Sequence, residues 1–265
     1  MYTGLKQQRV GQTRPSELKV ESLTRSDTDE PHSNRDKNGT RCHPIVEYIR
    51  PSLDHINSLV VSLYEQLIRS QWKQDLDLYV RRGGHFVIRM LQDCYATNGA
   101  RIQALGIDSS RYTDLGKTSA ELRVSLPAGL ELEGKRILVV DDVVDEGFTL
   151  IAVKNKLTEE SRGNVEVRLL TLYKKPWAKL IPDYWAEETD RWIVFPWEPL
   201  EVLGQIMKRK MTVEELATEI RKAGFDGKDL ALYLRVIELM PSNNAELKVK
   251  AEGIRARFSS DQRTG

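Results

Sequence analysis

Arg136-Ile137-Leu138-Val139-Val140-Asp141-Asp142-Val143-Val144-Asp145-Glu146-Gly147-Phe148-Thr149 is the stretch that decides the fold. Ile137 to Val140 run apolar without alternation, the pattern of a central strand buried on both faces. Two carboxylates follow, then a third, then a glycine and a hydroxyl at the mouth of a helix predicted to reach about Glu160. A helix start presents unpaired backbone N–H groups and the positive end of a dipole, which together seat a phosphate. Gly147 allows the backbone close approach, and Thr149 has a hydroxyl to donate. Two adjacent acids do not serve the phosphate itself. Asp141 and Asp142 suit the hydroxyls of a sugar, or a magnesium ion held directly or through water. The loop is expected to hold a phosphorylated sugar that carries a metal.

Working outward, Ile56, Leu59, Val60, Leu63 and Leu67 recur at helical spacing from Ser52 to about Trp72. Leu76 to Val80 reads as a strand, Arg82-Gly83-Gly84 as a glycine turn, and Phe86, Val87, Met90, Leu91 and Cys94 as a second helix. Further strands are predicted over 102–107, 165–173 and 192–195. Residues 108–130, rich in Ser, Thr, Gly and charge, read as a long mobile loop. Strands alternating with helices imply an α/β domain built on a parallel sheet flanked by helices, with ligands at the carboxyl ends of the strands. After Pro199 the pattern is helical: Thr212 and Glu215 fit a capping box, Gly224 marks a stop, and further helices are expected from Asp226 and Ala245. The expected organisation is a disordered tail over 1–42, too polar to offset its ordering entropy, a main domain over 43–205 and a helical extension over 206–265.

With 265 residues, 40% of them hydrophobic, and a net charge of +1, the chain has an ordinary core and no general attraction for nucleic acid or membrane surfaces. Lys208-Arg209-Lys210 reads as a solvated face. No run approaches the ~18 apolar residues of a membrane span, and no signal-type stretch opens the chain. Cys42 and Cys94 are the only cysteines, which excludes a disulfide framework or thiolate cluster. A cytoplasmic protein is expected. No Walker loop, zincin motif or nucleophile elbow occurs.

The acidic loop resembles the signature of type I phosphoribosyltransferases: an apolar strand, two acids, two apolar residues, then Asp-Thr-Gly-x-Thr. The resemblance implies that the chain binds 5-phosphoribosyl-1-pyrophosphate (PRPP) with Mg²⁺, Asp141 and Asp142 holding the ribose hydroxyls and the metal. Asp145, Glu146, Gly147, Phe148 and Thr149 would cradle the 5′-phosphate, and Asp145 would act as the base toward purine N7. Arg82 and Gly83 resemble the family's Arg-Gly-Gly pyrophosphate loop, where a guanidinium forks onto phosphate oxygens. A cis peptide is expected at Arg81–Arg82. Arg81 stands where the family has a small residue, and it either adds to pyrophosphate binding or faces water. Ser110-Arg111-Tyr112 resembles the Ser-Tyr pair opening the family's mobile loop.

Lys174-Lys175-Pro176, Pro182-Asp183-Tyr184 and Trp192-Ile193 through Pro196-Trp197 are similar to the hood of xanthine-guanine phosphoribosyltransferases. By that likeness Lys175 donates to O6 of a 6-oxopurine, Trp192 stacks on the base and backbone groups around Ile193 read the 2-position. The implied activity is transfer of phosphoribose to guanine, xanthine or hypoxanthine, and a homo-oligomer is expected. One departure is Glu146, where the family has Thr or Ser. Directed outward, its carboxylate leaves the amides free; directed inward, it takes the place of the phosphate. The departure, the tail and the extension leave a second reading open, a non-catalytic regulator of the same fold that senses PRPP or a nucleotide.

Overall fold

A computed structural model describes residues 47–112, 121–239 and 245–261, together with the backbone of 34–35 and 41–42. In chain order the strands are β1 (Asn34–Arg35), β2 (Arg41–Cys42), β3 (Tyr48–Ile49), β4 (Leu76–Val80), β5 (Ala104–Tyr112), β6 (Glu121–Ser125), β7 (Lys135–Val144), β8 (Val165–Lys174), β9 (Tyr184–Glu188) and β10 (Trp192–Ile193). The helices are α1 (Leu53–Ser70), α2 (Gly83–Thr97), α3 (Phe148–Glu160), α4 (Pro199–Met207), α5 (Val213–Lys222), α6 (Gly227–Glu238) and α7 (Ala245–Asp261). Apart from the short β1–β2 pairing, the tail predicted over 1–42 lies outside the described residues. None of the described helices is long and apolar enough to cross a membrane.

The main sheet has the order β6-β5-β4-β7-β8-β9. Every neighbouring pair is parallel except β5–β6. The central position of β7 explains its composition: Ile137 and Val139 enter the core beneath α3, while Leu138 and Val140 enter the core beneath α1 and α2. The apolar face of α1 is the predicted one, with Ile56, Leu59, Val60, Leu63 and Leu67 all buried. Each such side chain contributes roughly 1.5–3 kcal/mol on leaving water.

Chain order reverses between β4 and β7. The chain moves from β4 outward to β5, then returns to β7 on the other side of β4. Helices therefore leave the two strands toward opposite faces, and a crevice opens between their carboxyl ends. Both loops singled out in the sequence, after Val80 and after Val140, lie at that crevice.

Several expectations are corrected. Residues 108–130 are not one long loop: β5 continues to Tyr112 and pairs antiparallel with β6, Asp108 facing Ser125 and Ser110 facing Arg123. An edge hairpin tolerates polar side chains that composition alone assigns to a loop. Lys117, within the expected mobile segment, lies outside the described residues. The strand predicted over 192–195 is only the pair Trp192–Ile193, and it joins β3 rather than the main sheet. The edge strand β9 was not expected, because Tyr-Trp-Ala-Glu-Glu lacks a clear alternation. Arg82-Gly83-Gly84 is not a free turn: Arg82 is the N-cap of α2, and Gly83 begins the helix.

Helices α4 to α7 share a separate core that includes Leu203, Ile206, Leu216, Ile220, Leu234 and Ile254. Thr212 and Glu215 close the predicted capping box on α5, and Asp226 and Asp229 form another on α6. Gly224 follows α5 at φ 75°. Strand β3 joins the two cores. Arg50 beside it donates to Gly224 O at 2.8 Å and to both carboxylate oxygens of Asp229 at 2.6 and 2.9 Å. The Tyr48 hydroxyl donates to Glu219 Oε1 at 2.7 Å, and Arg209 binds the same oxygen at 2.7 Å. Helix α4 runs through residue 205 and packs into this helical core.

Candidate active site

Helix caps separate scaffold from site. α1, α5 and α6 begin with Ser52, Thr212 and Asp226, whose side chains accept from their own first-turn amides. α2, α3 and α4 begin with Arg82, Gly147 and Glu198, and none has a side-chain cap. Their first N–H groups keep their hydrogen-bonding capacity for something else. These three uncapped helices all start at the crevice.

At the end of β7, Gly147 has φ 91°, and a Cβ there would stand 2.8 Å from Leu180 Cβ. No other residue fits this conformation and this contact without strain. The turn leaves the amides of Phe148 and Thr149, at the start of α3, without a side-chain cap, and an uncapped helix start is able to receive an anion. Glu146 is half-buried, and its carbonyl accepts from Lys179 N–H at 3.1 Å.

The start of α2 lies close against β7, with no room for a side chain at Gly83 or Gly84. A Cβ on Gly83 would overlap the Asp142 carboxylate at 1.7 Å, and one on Gly84 would meet Val140 O at 2.4 Å. Asp141 and Asp142 are thereby walled in by the helix start, and the Asp142 N–H donates to Asp141 Oδ1 at 3.0 Å. Burial, then the charge of Asp142, raises the Asp141 carboxyl well above the usual carboxylate range, against the Gly84 N–H that steadies its anion. Burial pushes Asp142 up to about 6, with the Val143 N–H acting in the opposite direction.

Glu198, which the sequence did not single out, completes this acidic wall. Burial, then the charge of Asp142, pushes it up to about 7. Among the described residues no three His, Cys, Asp or Glu side chains form a ready-made metal cage. Asp141 and Asp142 are the oxygen donors that would hold a hard divalent cation such as Mg²⁺ at this site.

The Arg81–Arg82 peptide is cis. Arg81 lies along Gly106 and binds Asp108 at 2.9 Å, away from the crevice. Arg82 is exposed and engaged by Glu201 of α4 at 2.8 Å.

Across the crevice, Lys175 is buried and its ammonium donates to Arg191 O. Burial lowers its pKa, opposed by the nearby charges of Asp145 and Asp190. Trp192 and Val194 direct their N–H groups to Glu47 O and Ile49 O, both at 2.8 Å. In an extended chain the carbonyls of Arg191 and Ile193 then point to the opposite side, where Arg191 O accepts from Lys175. The Trp192 ring is 48% exposed and the Ile193 side chain is buried, so Ile193 offers backbone only. Trp197 stacks between Phe86 and Phe195 at 4.9 and 4.8 Å, packed against the hydrophobic layer.

Sequence reasoning also missed the segment 177–180, which lies over the Glu146–Gly147 turn. Trp177 Nε1 donates to Asp145 Oδ1 at 2.7 Å. Lys179 Nζ stands 4.7 Å from the Phe148 ring centroid. The only available signal was proximity to Lys175 in the chain.

The phosphoribosyl transferase domain family matches residues 59–202. A xanthine-guanine phosphoribosyltransferase of Chromohalobacter salexigens is 36% identical over 149 residues, 56% of this chain and 82% of that protein. A bifunctional protein PyrR of Synechocystis is 31% identical over 136 residues, 48% of this chain and 72% of that protein. Among solved structures, a purine phosphoribosyltransferase from Pyrococcus horikoshii is 30% identical with a TM-score of 0.47, covering 57% of this chain and 93% of that one.

Proposed function

The chain belongs to the phosphoribosyl transferase domain family, and from that membership we propose that it transfers the 5-phosphoribosyl group of PRPP to a 6-oxopurine base and releases pyrophosphate. The observation that carries the reading is the meeting, at one topological switch point, of an uncapped glycine turn, a walled pair of aspartates and a lysine beside outward backbone carbonyls.

In this reading the amides at 147–149 and the Thr149 hydroxyl hold the 5′-phosphate, while Asp141 and Asp142 take the ribose hydroxyls and Mg²⁺. Arg82, released from Glu201, and the Gly83 backbone face the pyrophosphate. The base lies against Trp192, with Lys175 donating to O6 and the Ile193 carbonyl facing position 2. Bond breaking between C1 and the pyrophosphate oxygen runs ahead of bond making, as in other glycosyl transfers, and the leaving oxygen keeps the electron pair. Purine N9 supplies the pair that forms the new bond to C1, and Asp145 accepts the N7 proton as that bond forms. Bound Mg²⁺ would neutralise charge on the departing pyrophosphate. The lysine and the exposed indole favour an oxopurine over adenine, because an ammonium donates and does not accept.

A regulator that senses PRPP or nucleotide is the second reading, favoured by the pairing of Arg82 with Glu201. One assay separates the two: guanine, hypoxanthine and xanthine are each incubated with PRPP and Mg²⁺. Nucleotide formation is expected with at least one base. Binding of PRPP without turnover of any base points to the regulator.

A further inference from the structure

After β8 the chain folds back over the Glu146–Gly147 turn. Lys175 N–H donates to Val144 O at 2.9 Å, Ala178 N–H to Lys175 O at 3.1 Å, and Lys179 N–H to Glu146 O at 3.1 Å. This strap carries Trp177, a large aromatic left 51% exposed at the mouth of the site. Its indole touches two functional groups at once. Nε1 donates to Asp145 Oδ1 at 2.7 Å, and Lys175 Nζ stands 5.5 Å from the ring centroid.

We propose, resting on the 6-oxopurine reading above, that Trp177 is the positioning residue that sets the spacing between the proton acceptor for N7 and the proton donor for O6. These two atoms lie on one edge of the base, so their partners must be held at a matching separation. An indole N–H only donates, so its partner oxygen is held as an acceptor. With Oδ1 engaged, the Asp145 carboxylate presents Oδ2 to the base. The ring face attracts the ammonium electrostatically and limits where Lys175 reaches. The ammonium has three donors and gives one to Arg191 O, which leaves two for the base and its surroundings. Trp177 acts through the Asp145 carboxylate and the Lys175 ammonium, whereas the phosphate grip of the reading above comes from the backbone amides at 147–149 and the Thr149 hydroxyl.

Two substitutions test this. Trp177→Phe keeps the ring and removes the N–H, whereas Trp177→His restores a ring donor. With PRPP, Mg²⁺ and each of the three 6-oxopurines, Trp177→Phe is expected to lower kcat on the order of tenfold, the scale of one hydrogen bond to a charged group. The KM for PRPP should be unchanged, which also certifies a folded site, and Trp177→His should regain most of kcat. The proposal is overturned by full turnover in Trp177→Phe, by a histidine variant no better than phenylalanine, or by a loss confined to the KM for PRPP. A wild-type chain inert toward all three bases overturns the base reading together with this proposal; an active wild type paired with an equally active phenylalanine variant overturns this proposal alone.

Discussion

Asp145 stands exposed just beyond β7 with one carboxylate oxygen already bonded to the indole of Trp177. An amide in its place fills the same space and cannot accept a proton. Asp145→Asn should therefore lower kcat by about 10²–10⁴-fold while the KM for PRPP changes little, as read in steady-state assays. Lys175→Met removes the O6 donor while keeping the aliphatic stem. The variant is expected to lose at least tenfold in kcat/KM for hypoxanthine, the order of one charge-assisted hydrogen bond, and competition assays with adenine would register the narrowed preference. Residues of this kind are legible in sequence when chemistry and chain order coincide: the acids at 141, 142 and 145 sit on consecutive positions of a loop the pattern announces. Glu198 and Glu201 were not legible. Neither has a motif around it, and only the direction in which α4 leaves Pro196 and Trp197 brings them to Asp142 and Arg82.

At the scale of elements, α2 packs closely on β7. The glycines before α2 read from sequence as a turn because glycine marks turns. Their reason is a different one, the absence of room for a side chain beside Val140 and Asp142. Alanine at position 84 would favour the helix itself by up to about 1 kcal/mol but would drive its Cβ into a backbone carbonyl that cannot turn aside. Gly84→Ala is expected to cost roughly 1–3 kcal/mol, the range of overpacking in a close-packed core, and chemical denaturation would measure it. The buried strands and α1 were legible because a period of hydrophobic residues is a local signal. β9, β6 and the β3–β10 pair were not, since short edge strands owe their form to a partner remote in the chain. Residues 48–49 are bridged to 192–193 across most of the domain.

For the molecule as a whole, four carboxyls among the described residues are raised above their ordinary values, chiefly by burial: Asp77 to about 7, Asp142 to about 6, Glu198 to about 7, and Asp141 well above the usual carboxylate range. Each holds its proton in the folded state over a range where the unfolded chain has lost it. Their contribution is thus fully present below the unfolded carboxylate range, near pH 4, and is lost as pH rises through 6 and 7. The ligand-free protein should lose thermal midpoint by several degrees between pH 5 and 8. Asp77→Asn, neutral at every pH and remote from the crevice loops, should flatten part of that slope in a melting series; an unchanged slope would exclude Asp77 as a contributor. The fold class was readable from one strand and its neighbours. The joining of the α/β layers to the helical bundle was not, because it depends on Tyr48, Arg50, Glu219 and Asp229, four polar residues scattered over the chain.

The placement of β10 has a mechanical side. One flank of its backbone is laced to residues 47–49 and the other receives Lys175. Tension on β3 would be delivered, through the two hydrogen bonds from Trp192 and Val194, to the wall on which a purine would rest. A leash on the amino-terminal approach would tune how firmly that wall stands.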